Sequence, residues 1–274
     1  MRRSNLSLKK GLDILSCFSF DQPTLSAQDI SSKLNIPLST TYRYIETLGE
    51  RGFLTKNSNG KHYKLGFMIL QIGNILFLQI KLIDVALPHM QSLAFLTRET
   101  MLLMMVSGKK ALCIESVESD RLIRLSLKKG ATLPLHAGAP SKLLLAYQSE
   151  AFIESFMKTT ELVRFTPHTV TDPKTLKMQL KTIREQGFAF SSQEVDMGDC
   201  AIAVPILDEG RNLIAGLAIA GPIERFEEKK ERMILWVKEA ALKISNDLIY
   251  GEEAYRNLPP KGDLAKRPRG NSDR

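Results

Sequence analysis

The first 65 residues carry the signals of a helix, a short helix, a tight turn, a third helix and a β-hairpin, in that order. A first helix is predicted over residues 8–18, with Ser7 as its N-cap. Its apolar positions have the spacing i, i+4 and i+7 and are Leu8, Leu12 and Leu15. Ser26 and Asp29 have the spacing of a capping box, which predicts that a second helix begins there and ends near Leu34.

A proline separates this short helix from the next one. Pro37 cannot donate a backbone hydrogen bond and disfavours helical geometry in the residue before it, so the second helix must end. A third helix is predicted over residues 38–52, where the final glycine favours a left-handed cap. The runs 53–56 and 62–65 are β-like, and the turn-forming residues 57–61 between them predict a hairpin.

This order of elements is that of a winged helix-turn-helix, and the third helix has the side chains that a groove-reading helix needs. Short or polar residues lie near its amino end, and they are Ser39, Thr40, Thr41, Arg43 and Tyr44. Lys61 lies at the tip of the wing. The inward face is predicted to consist of Leu38, Tyr42, Ile45 and Leu48. The alternative is a small helical bundle with a solvated polar face, but the hairpin, the local charge and the order of the helices favour DNA binding.

The net charge of +8 is concentrated at the amino end. Residues 1–65 hold ten basic and five acidic side chains, residues 66–250 hold 22 and 21, and residues 251–274 hold six and four. A basic first quarter beside a nearly neutral remainder indicates a polyanion-binding module attached to a second domain. Apolar residues make up 43% of the chain, as in ordinary globular proteins, which argues against a wholly disordered or fibrous chain.

The cysteines and histidines lack the spacing of a disulfide framework or a metal site. They are Cys17, Cys113 and Cys200, and His62, His89, His136 and His168. We therefore expect a reducing, cytoplasmic setting, no metal and no cofactor. The most apolar stretch, residues 67–83, contains Gln, Asn, Gly and Lys and is short for a membrane-spanning helix, so we expect a packed helix, no membrane association and no signal peptide.

The remainder of the chain predicts an α+β domain. Residues 67–84 are expected to form a linker helix between a DNA-binding domain at 1–66 and a second domain at 85–250. Strands are predicted at 101–107, 111–117, 122–127, 188–193, 200–207 and 213–220, and helices at 140–147, 173–187 and 225–250. The last helix has on one side Met233, Val237, Ala241 and Ile244. Strands and helices segregated in this way are typical of the α+β class. The basic tail, 251–274, has few apolar residues and is expected to be disordered.

Ordered motifs along residues 8–250 add to this interpretation. In the amino-terminal part they are Gly11-Leu12-Asp13-Ile14-Leu15, Leu38-Ser39-Thr40-Thr41-Tyr42-Arg43 and Leu48-Gly49-Glu50-Arg51-Gly52-Phe53-Leu54. In the carboxyl-terminal part they are Leu133-Pro134-Leu135-His136-Ala137 before Ser141-Lys142, Ser192-Gln193-Glu194 through Gly198, Cys200-Ala201-Ile202-Ala203-Val204-Pro205, and Gly221-Pro222 before Arg225. In this order and spacing they resemble the IclR (isocitrate lyase regulator) family of transcriptional regulators.

The resemblance implies a winged helix joined by a linker helix to a GAF-like effector-binding domain, assembled as homodimers or homotetramers on pseudo-palindromic double-stranded DNA operators. It also implies that a small-molecule effector, an organic or aromatic acid, lies over the sheet. The residues expected to surround it are Gly138, Ala139, Ser191, Asp196, Cys200, Ala218 and Ala220. In some relatives the last two positions are Ser and donate to a ligand carboxylate, so the chain departs from the family pattern there. Free amides at the start of the helix at residue 140 still favour an anion.

No constellation of residues predicts an enzymatic mechanism. We interpret Cys200 as a pocket wall or a buried filler rather than a nucleophile, because no nearby His or Lys is evident that would lower the pKa of its thiol. The pair Ser141-Lys142 indicates a helix start, and Glu194, Asp196 and Asp199 indicate a loop over a pocket. The leading hypothesis is a ligand-responsive DNA-binding regulator. The rival hypotheses are a small-molecule enzyme with a helical accessory domain and a ligand-free protein-interaction module.

Overall fold

The chain divides into two compact units, Met1–Lys81 and Leu82–Arg274. The structure, a computed structural model, describes residues 5–19, 21–57, 60–79 and 81–256. For residues 257–274 the prediction of a disordered tail lies outside the described residues, whereas residues 251–256 continue the last helix and correct that prediction. Within the described ranges, no helix combines the length and the apolarity that are needed to cross a membrane.

The amino-terminal unit is a winged helix-turn-helix, as the sequence predicts. Its helices are α1 (Leu6–Leu15), α2 (Ala27–Leu34), α3 (Leu38–Glu50) and α4 (Phe67–Gln79), and its strands are β1 (Leu25–Ser26), β2 (Leu54–Lys56) and β3 (His62–Leu65). The strands form an antiparallel sheet in the order β1-β3-β2, so the β2–β3 hairpin is the wing. Each of the first three helices contributes a buried isoleucine to one apolar core, namely Ile14, Ile30 and Ile45.

Side-chain capping sets the starts of the first two helices. The Ser26 hydroxyl accepts the Asp29 amide at 3.1 Å, and the Asp29 carboxylate accepts the Ser26 amide at 2.8 Å, which confirms the capping box. The prediction of Ser7 as the N-cap of α1 is wrong. The cap is Asn5, whose side-chain carbonyl accepts the Leu8 amide at 3.1 Å, so α1 begins earlier than predicted.

Two leucines of the α1 stripe lie on the surface of the unit, whereas the third, Leu15, packs against its core. Leu8 and Leu12 are 62% and 55% exposed, whereas Ile14 is fully buried. The spacing of the leucines correctly predicts a helix, but it does not identify the face that packs inside the unit. The exposed stripe is therefore available for a contact outside the unit.

The carboxyl-terminal unit is α+β, as predicted. Its strands are β4 (Thr100–Ser107), β5 (Lys110–Val117), β6 (Thr132–Pro134), β7 (Ala189–Ser192), β8 (Asp199–Leu207) and β9 (Leu213–Pro222). They form one antiparallel sheet in the order β6-β5-β4-β9-β8-β7. Its helices are α5 (Lys81–Thr97), α6 (Ala139–Ala146), α7 (Glu150–Thr159), α8 (Pro173–Gln186), α9 (Glu224–Glu227) and α10 (Lys230–Arg256).

Helices cover both faces of this sheet. Successive residues of a strand point to opposite faces, so Ala201 and its neighbour Ile202 belong to different layers. Ala201 packs in the apolar core that contains Leu143 of α6. On the other face, the Lys230 ammonium of α10 lies 3.6 Å from the ring centroid of Phe190, the register partner of Ile202. The side of α10 that the sequence predicts to be apolar is buried, and it comprises Met233, Val237, Ala241 and Ile244.

The strand predicted at residues 122–127 is absent, which corrects the sequence analysis. Backbone carbonyls of this segment accept side-chain hydrogen bonds, from the Thr100 hydroxyl to Leu125 at 2.6 Å and from the Arg225 guanidinium to Ile123 at 3.1 Å. These carbonyls therefore accept hydrogen bonds from distant side chains rather than from the backbone of a neighbouring strand. The third strand of the meander is β6, which pairs with β5.

The helices also differ from the prediction in two places. The described residues of the predicted linker segment, 67–79 and 81–84, are helical and belong to α4 and to the start of α5. The predicted helix at 225–250 is divided into α9 and α10. Helix α7 was not predicted, although Ser149 caps it by accepting the Phe152 amide at 3.3 Å. The Asp172 cap and the left-handed Gly187 at the two ends of α8 are confirmed.

Candidate functional site

The outer face of α3 carries Ser39 and Arg43, which are one helical turn apart. Both residues are exposed, and Thr40 is half-buried beside them. Glu46 and Glu50 continue the exposed face toward the carboxyl end of the helix. Only the amino-terminal half of this face therefore presents groups that suit a polyanion.

Two neighbouring residues of α3, Thr41 and Tyr42, lie on the sides opposite to those predicted. Thr41 is fully buried and its hydroxyl donates to the Pro37 carbonyl at 3.1 Å, so the prediction that its side chain faces DNA is wrong. Tyr42 and Leu38, predicted to face inward, are 50% and 36% exposed. Tyr44 is half-buried against the core of the unit. Tyr42 therefore replaces Thr41 as a candidate for DNA contact.

Asn57 organises the tip of the wing. Its backbone amide donates to the His62 carbonyl at 2.9 Å, and its side-chain carbonyl accepts the His62 amide at 3.2 Å. Lys61, the predicted wing contact, is exposed beside this turn. Lys61 is thus exposed next to a turn that the hydrogen bonds of Asn57 stabilise.

Three of the residues expected around an effector, Gly138, Ala139 and Ser191, lie together at the start of α6 and on the adjoining strand β7. The Gly138 amide donates to the Glu194 carboxylate at 3.1 Å, and the Ala139 amide donates to the Ser191 hydroxyl at 2.8 Å. Gly138 has φ +84°, and a Cβ there would lie 3.1 Å from Cγ2 of Val195, so glycine fits this turn best. The expectation that these amides are free is wrong, because the protein's own side chains occupy them.

Glu194 is also the partner of a buried lysine. The Lys142 ammonium forms an ion pair with the Glu194 carboxylate and donates to the side-chain carbonyl of Gln179 at 3.0 Å. Lys142 is 2% exposed and Glu194 is 7% exposed. A buried charge without a partner is strongly unfavourable. The amide of Gly138 and the ammonium of Lys142 together form an anion position, which the Glu194 carboxylate fills. The sequence predicts that Glu194 lies in a loop over a pocket, but it does not indicate the pairing with Lys142.

Two threonines fix the backbone that carries Glu194. The Thr166 hydroxyl donates to the Gln193 carbonyl at 2.5 Å, and the Thr169 hydroxyl donates to the Glu194 carbonyl at 2.7 Å. Gln193 has φ +57°, in the left-handed region, and its side chain accepts the Gly198 amide at 3.0 Å. Since the loop backbone is held by these bonds, displacement of the Glu194 carboxylate from Lys142 would require rotation of the Glu194 side chain.

Alanines form the sheet surface beside Ser191. Two rows of register partners on β7, β8 and β9 share this face of the sheet, namely Ser191, Ala201 and Ala220, and Ala189, Ala203 and Ala218. All six residues are buried. Ala218 and Ala220 therefore lie on the face where the sequence analysis expects them, and their methyl groups offer a ligand apolar contact without a hydrogen-bond donor.

Cys200 lies on the opposite face of the sheet, which corrects its assignment to the effector pocket. It precedes Ala201 in β8, so its thiol is directed toward the α10 layer. Burial, followed by the negative charge of Asp199, raises the pKa of the thiol to about 12. The thiol is therefore protonated at neutral pH, as expected of a buried filler.

Asp196 is exposed on the β7–β8 loop, apart from the buried anion position. Its backbone amide lies 3.4 Å from a carboxylate oxygen of Asp199. The structure thus brings Gly138, Ala139 and Ser191 together but leaves Asp196 at the surface. In the part of the chain that the structure describes, no three His, Cys, Asp or Glu side chains are grouped closely enough to hold a metal ion.

Two family models match the chain and together cover most of it. The model of the carboxyl-terminal domain of the bacterial transcriptional regulator IclR matches residues 77–246. The model of the IclR helix-turn-helix domain matches residues 7–58. The two matches follow one another along the chain in the same order as the two compact units.

Individual relatives extend the similarity over nearly the whole chain. The HTH-type transcriptional regulator KipR of Bacillus subtilis (strain 168) is 30% identical over 251 residues, which cover 91% of this chain and 100% of that protein. The HTH-type transcriptional repressor AllR of Escherichia coli (strain K12) is 31% identical over 224 residues, which cover 82% of this chain and 83% of that protein. Among solved structures, an IclR homologue from Microbacterium hydrocarbonoxydans, complexed with 4-hydroxybenzoate, is 27% identical. It matches with a TM-score of 0.75 over 88% of this chain and 98% of that chain.

Proposed function

The chain belongs to the IclR family of bacterial transcriptional regulators, and we propose that a small organic or aromatic acid controls its binding to a pseudo-palindromic operator. The observation that carries this proposal is the anion position that the Gly138 amide and the Lys142 ammonium form. An acidic effector would take the place of the Glu194 carboxylate there. Because a buried Lys142 needs a counter-ion, displacement of Glu194 favours an anionic ligand over a neutral one.

The operator would be read by α3 with support from the wing. Arg43 is exposed at the amino-terminal half of the helix and can reach a guanine edge or a nearby phosphate. Lys61 would contact the phosphate backbone. The basic surplus of residues 1–65 supports this role, because neutralised phosphates supply much of the affinity of DNA-binding proteins.

A symmetric assembly would explain the apolar surface of the amino-terminal unit. Leu8 and Leu12 of α1 and Phe67 and Leu70 of α4 are each more than half exposed. Exposed apolar patches of this kind mark interaction sites. We propose a homodimer or homotetramer, since two-fold symmetry lets two copies of α3 read the two halves of a pseudo-palindrome.

The rest of the proposal concerns the effector and the direction of control. The alanine floor suits an apolar or aromatic body, and the anion position suits a carboxylate. The complex of a relative with 4-hydroxybenzoate supports an aromatic acid, and the name of AllR, a transcriptional repressor, supports repression. We propose that the effector relieves this repression. We propose that the protein acts in the cytoplasm, where its DNA lies, and that it has no catalytic function.

The test uses the full chain and 4-hydroxybenzoate as the first probe, followed by other small carboxylic acids. A ligand at 100 times its Kd should stabilise the protein by about 2.7 kcal/mol, which is detectable as a rise in Tm. The variant Ala139→Trp should lose this rise, because its indole would occupy the position that we propose for the body of the ligand over the alanines. An acid that shifts the Tm of both proteins equally would contradict the proposed site. Ala220→Leu provides a second variant from another element.

A further inference from the structure

A cavity of about 510 Å³ lies between α7 and α8, and we call it the α7–α8 groove. Its floor is apolar and comprises Ala146, Ile153, Met178 and Leu180. Ile153 and Leu180 belong to the core of the unit, while Met178 is 64% exposed. None of the residues that line the groove belongs to the expected effector site. The volume is within the range of small-molecule sites.

One edge of this groove is a basic stripe on α8. Lys174, Lys177, Lys181 and Arg184 have the spacing i, i+3, i+7 and i+10, so they share one side of the helix. Together the lining residues comprise these four cations and two acids, Glu150 and Glu185. The groove therefore combines an apolar floor with a surplus of positive charge.

The cations of this stripe differ in how strongly acidic side chains of the protein already bind them. Lys177 is engaged with Glu154 of α7 at 2.9 Å, and this contact raises the pKa of Lys177 and lowers that of Glu154. Lys181 has only a loose pair with Glu185, at 3.8 Å, and its side chain is 80% exposed. Such an exposed pair contributes little energy. A ligand anion can therefore bind Lys181 without the loss of a strong contact.

We propose that the α7–α8 groove binds a free amphipathic monocarboxylate, a small molecule with an unbranched apolar chain. The chain lies over Ile153, Met178 and Leu180, and the carboxylate lies against Lys174 and Lys181. The charge surplus selects an anion over a neutral or cationic amphiphile, and the floor selects a long chain over a short one. This site is separate from the proposed effector site at the start of α6, and the proposal does not depend on that site.

Isothermal titration calorimetry of the full chain with hexanoate, octanoate and decanoate, below their micelle concentrations, tests the proposal. Each added methylene that enters the groove should strengthen binding about fourfold, the ratio that corresponds to about 0.8 kcal/mol per buried methylene. Decanol and decyltrimethylammonium should bind more weakly than decanoate, and sodium chloride should weaken the binding of decanoate. A lack of binding, equal binding of decanol, or no dependence on chain length would each overturn the proposal.

Substitutions locate the site. Lys181→Glu should weaken decanoate binding about fivefold to tenfold, since it reverses one exposed charge, and Met178→Asp should weaken it further. The matched control is Lys243→Glu, another exposed helical lysine with an i,i+4 glutamate partner, Glu239, which should bind decanoate like the original chain. Equal effects of Lys181→Glu and Lys243→Glu would overturn the site. Loss of decanoate binding in Ala139→Trp would move the ligand to the α6 site and also overturn it.

The two ligand proposals fail separately. If 4-hydroxybenzoate and related acids have no effect but decanoate binds and responds to Lys181→Glu, the groove stands and the proposed effector site does not. If the acids act through Ala139 and decanoate does not bind, the effector site stands and the groove does not.

Discussion

Lys142 and Glu194 are 52 positions apart in the sequence and form a buried ion pair, in which the same carboxylate also accepts the amide of Gly138. This pair joins the first turn of α6 to the loop between β7 and β8. Because both charges are nearly inaccessible to water, neither can lose its partner without a large free-energy penalty. The pair therefore stabilises the carboxyl-terminal unit, and a ligand that displaces Glu194 must supply an anion for Lys142.

Removal of either charge alone should destabilise the protein. Lys142→Met and Glu194→Leu are each expected to lower the free energy of unfolding by about 3 to 5 kcal/mol, because each leaves one buried charge without its partner. The double variant should be more stable than the sum of the two losses implies. Urea unfolding of the four proteins in a double-mutant cycle measures this coupling.

The exposed pair of Lys243 and Glu239 is the control for this cycle. Its side chains are 57% and 63% exposed, so its coupling energy should be below about 1 kcal/mol. If the cycle for Lys142 and Glu194 gives a similarly small value, the pair has no special role in the unit.

The second prediction concerns Glu194→Gln and the proposed effector. This variant keeps the size of the side chain but leaves the Lys142 ammonium without its anionic partner. We expect an acid such as 4-hydroxybenzoate to raise the Tm of Glu194→Gln more than that of the original chain, since the ligand supplies the missing charge. A neutral analogue, 4-hydroxybenzamide, should not have this effect. Equal shifts for acid and amide would remove Lys142 from the recognition of the ligand.

Arg43 should determine the affinity for the operator. Arg43→Ala is expected to cost about 1 to 3 kcal/mol of operator binding if the guanidinium meets a base edge. Glu46→Ala, also on the exposed side of α3, is the control and should leave the affinity unchanged or raise it, because it removes a negative charge. Fluorescence anisotropy titrations provide the measurement. Unchanged binding by Arg43→Ala, with an intact circular dichroism spectrum, would mean that α3 does not read the operator.

Lys61 should behave as a phosphate contact of the wing. Lys61→Ala is expected to weaken binding to all DNA sequences alike and to reduce the slope of log K against log salt by about one. The measurement is a set of titrations of operator and unrelated DNA over a range of salt concentrations. A loss confined to the operator would instead assign Lys61 to base recognition.

The thiols should differ strongly in reactivity. Burial raises the pKa of Cys200 to about 12 and that of Cys113 to about 11, so both are almost wholly protonated at pH 8. Cys17 is only half-buried, and its pKa is raised by a smaller degree of burial. Iodoacetamide at pH 8 should therefore label Cys17 first, and the other two only after unfolding. Rapid labelling of Cys200 in the folded protein would contradict its placement beneath α10.

The features that sequence reasoning predicts correctly depend on neighbours in the chain. The capping box of Ser26 and Asp29 spans three positions, and the ends of α8 at Asp172 and Gly187 follow from the chemistry of single residues. Each of these features is set by a local hydrogen bond or a backbone angle, which the residue types alone indicate.

The features that sequence reasoning misses depend on contacts between residues that are far apart in the sequence. Whether Thr41 or Tyr42 of α3 faces inward is decided by the packing of that helix against α1 and α2. The side of the sheet that Cys200 faces follows from the register of β8, and the role of Glu194 follows from its meeting with Lys142. These residues can be identified in the sequence, but the distances between them are set by the fold.

Selection of genomic DNA by the purified protein shows whether the protein is a sequence-specific DNA-binding regulator. The purified full chain is mixed with sheared DNA of its own genome, and the bound fragments are sequenced, in parallel with Arg43→Ala. We expect strong enrichment of a few fragments that share a two-fold symmetric site, and loss of that enrichment in Arg43→Ala. Even coverage of the genome by the original chain, or the same enriched fragments with Arg43→Ala, would contradict this expectation.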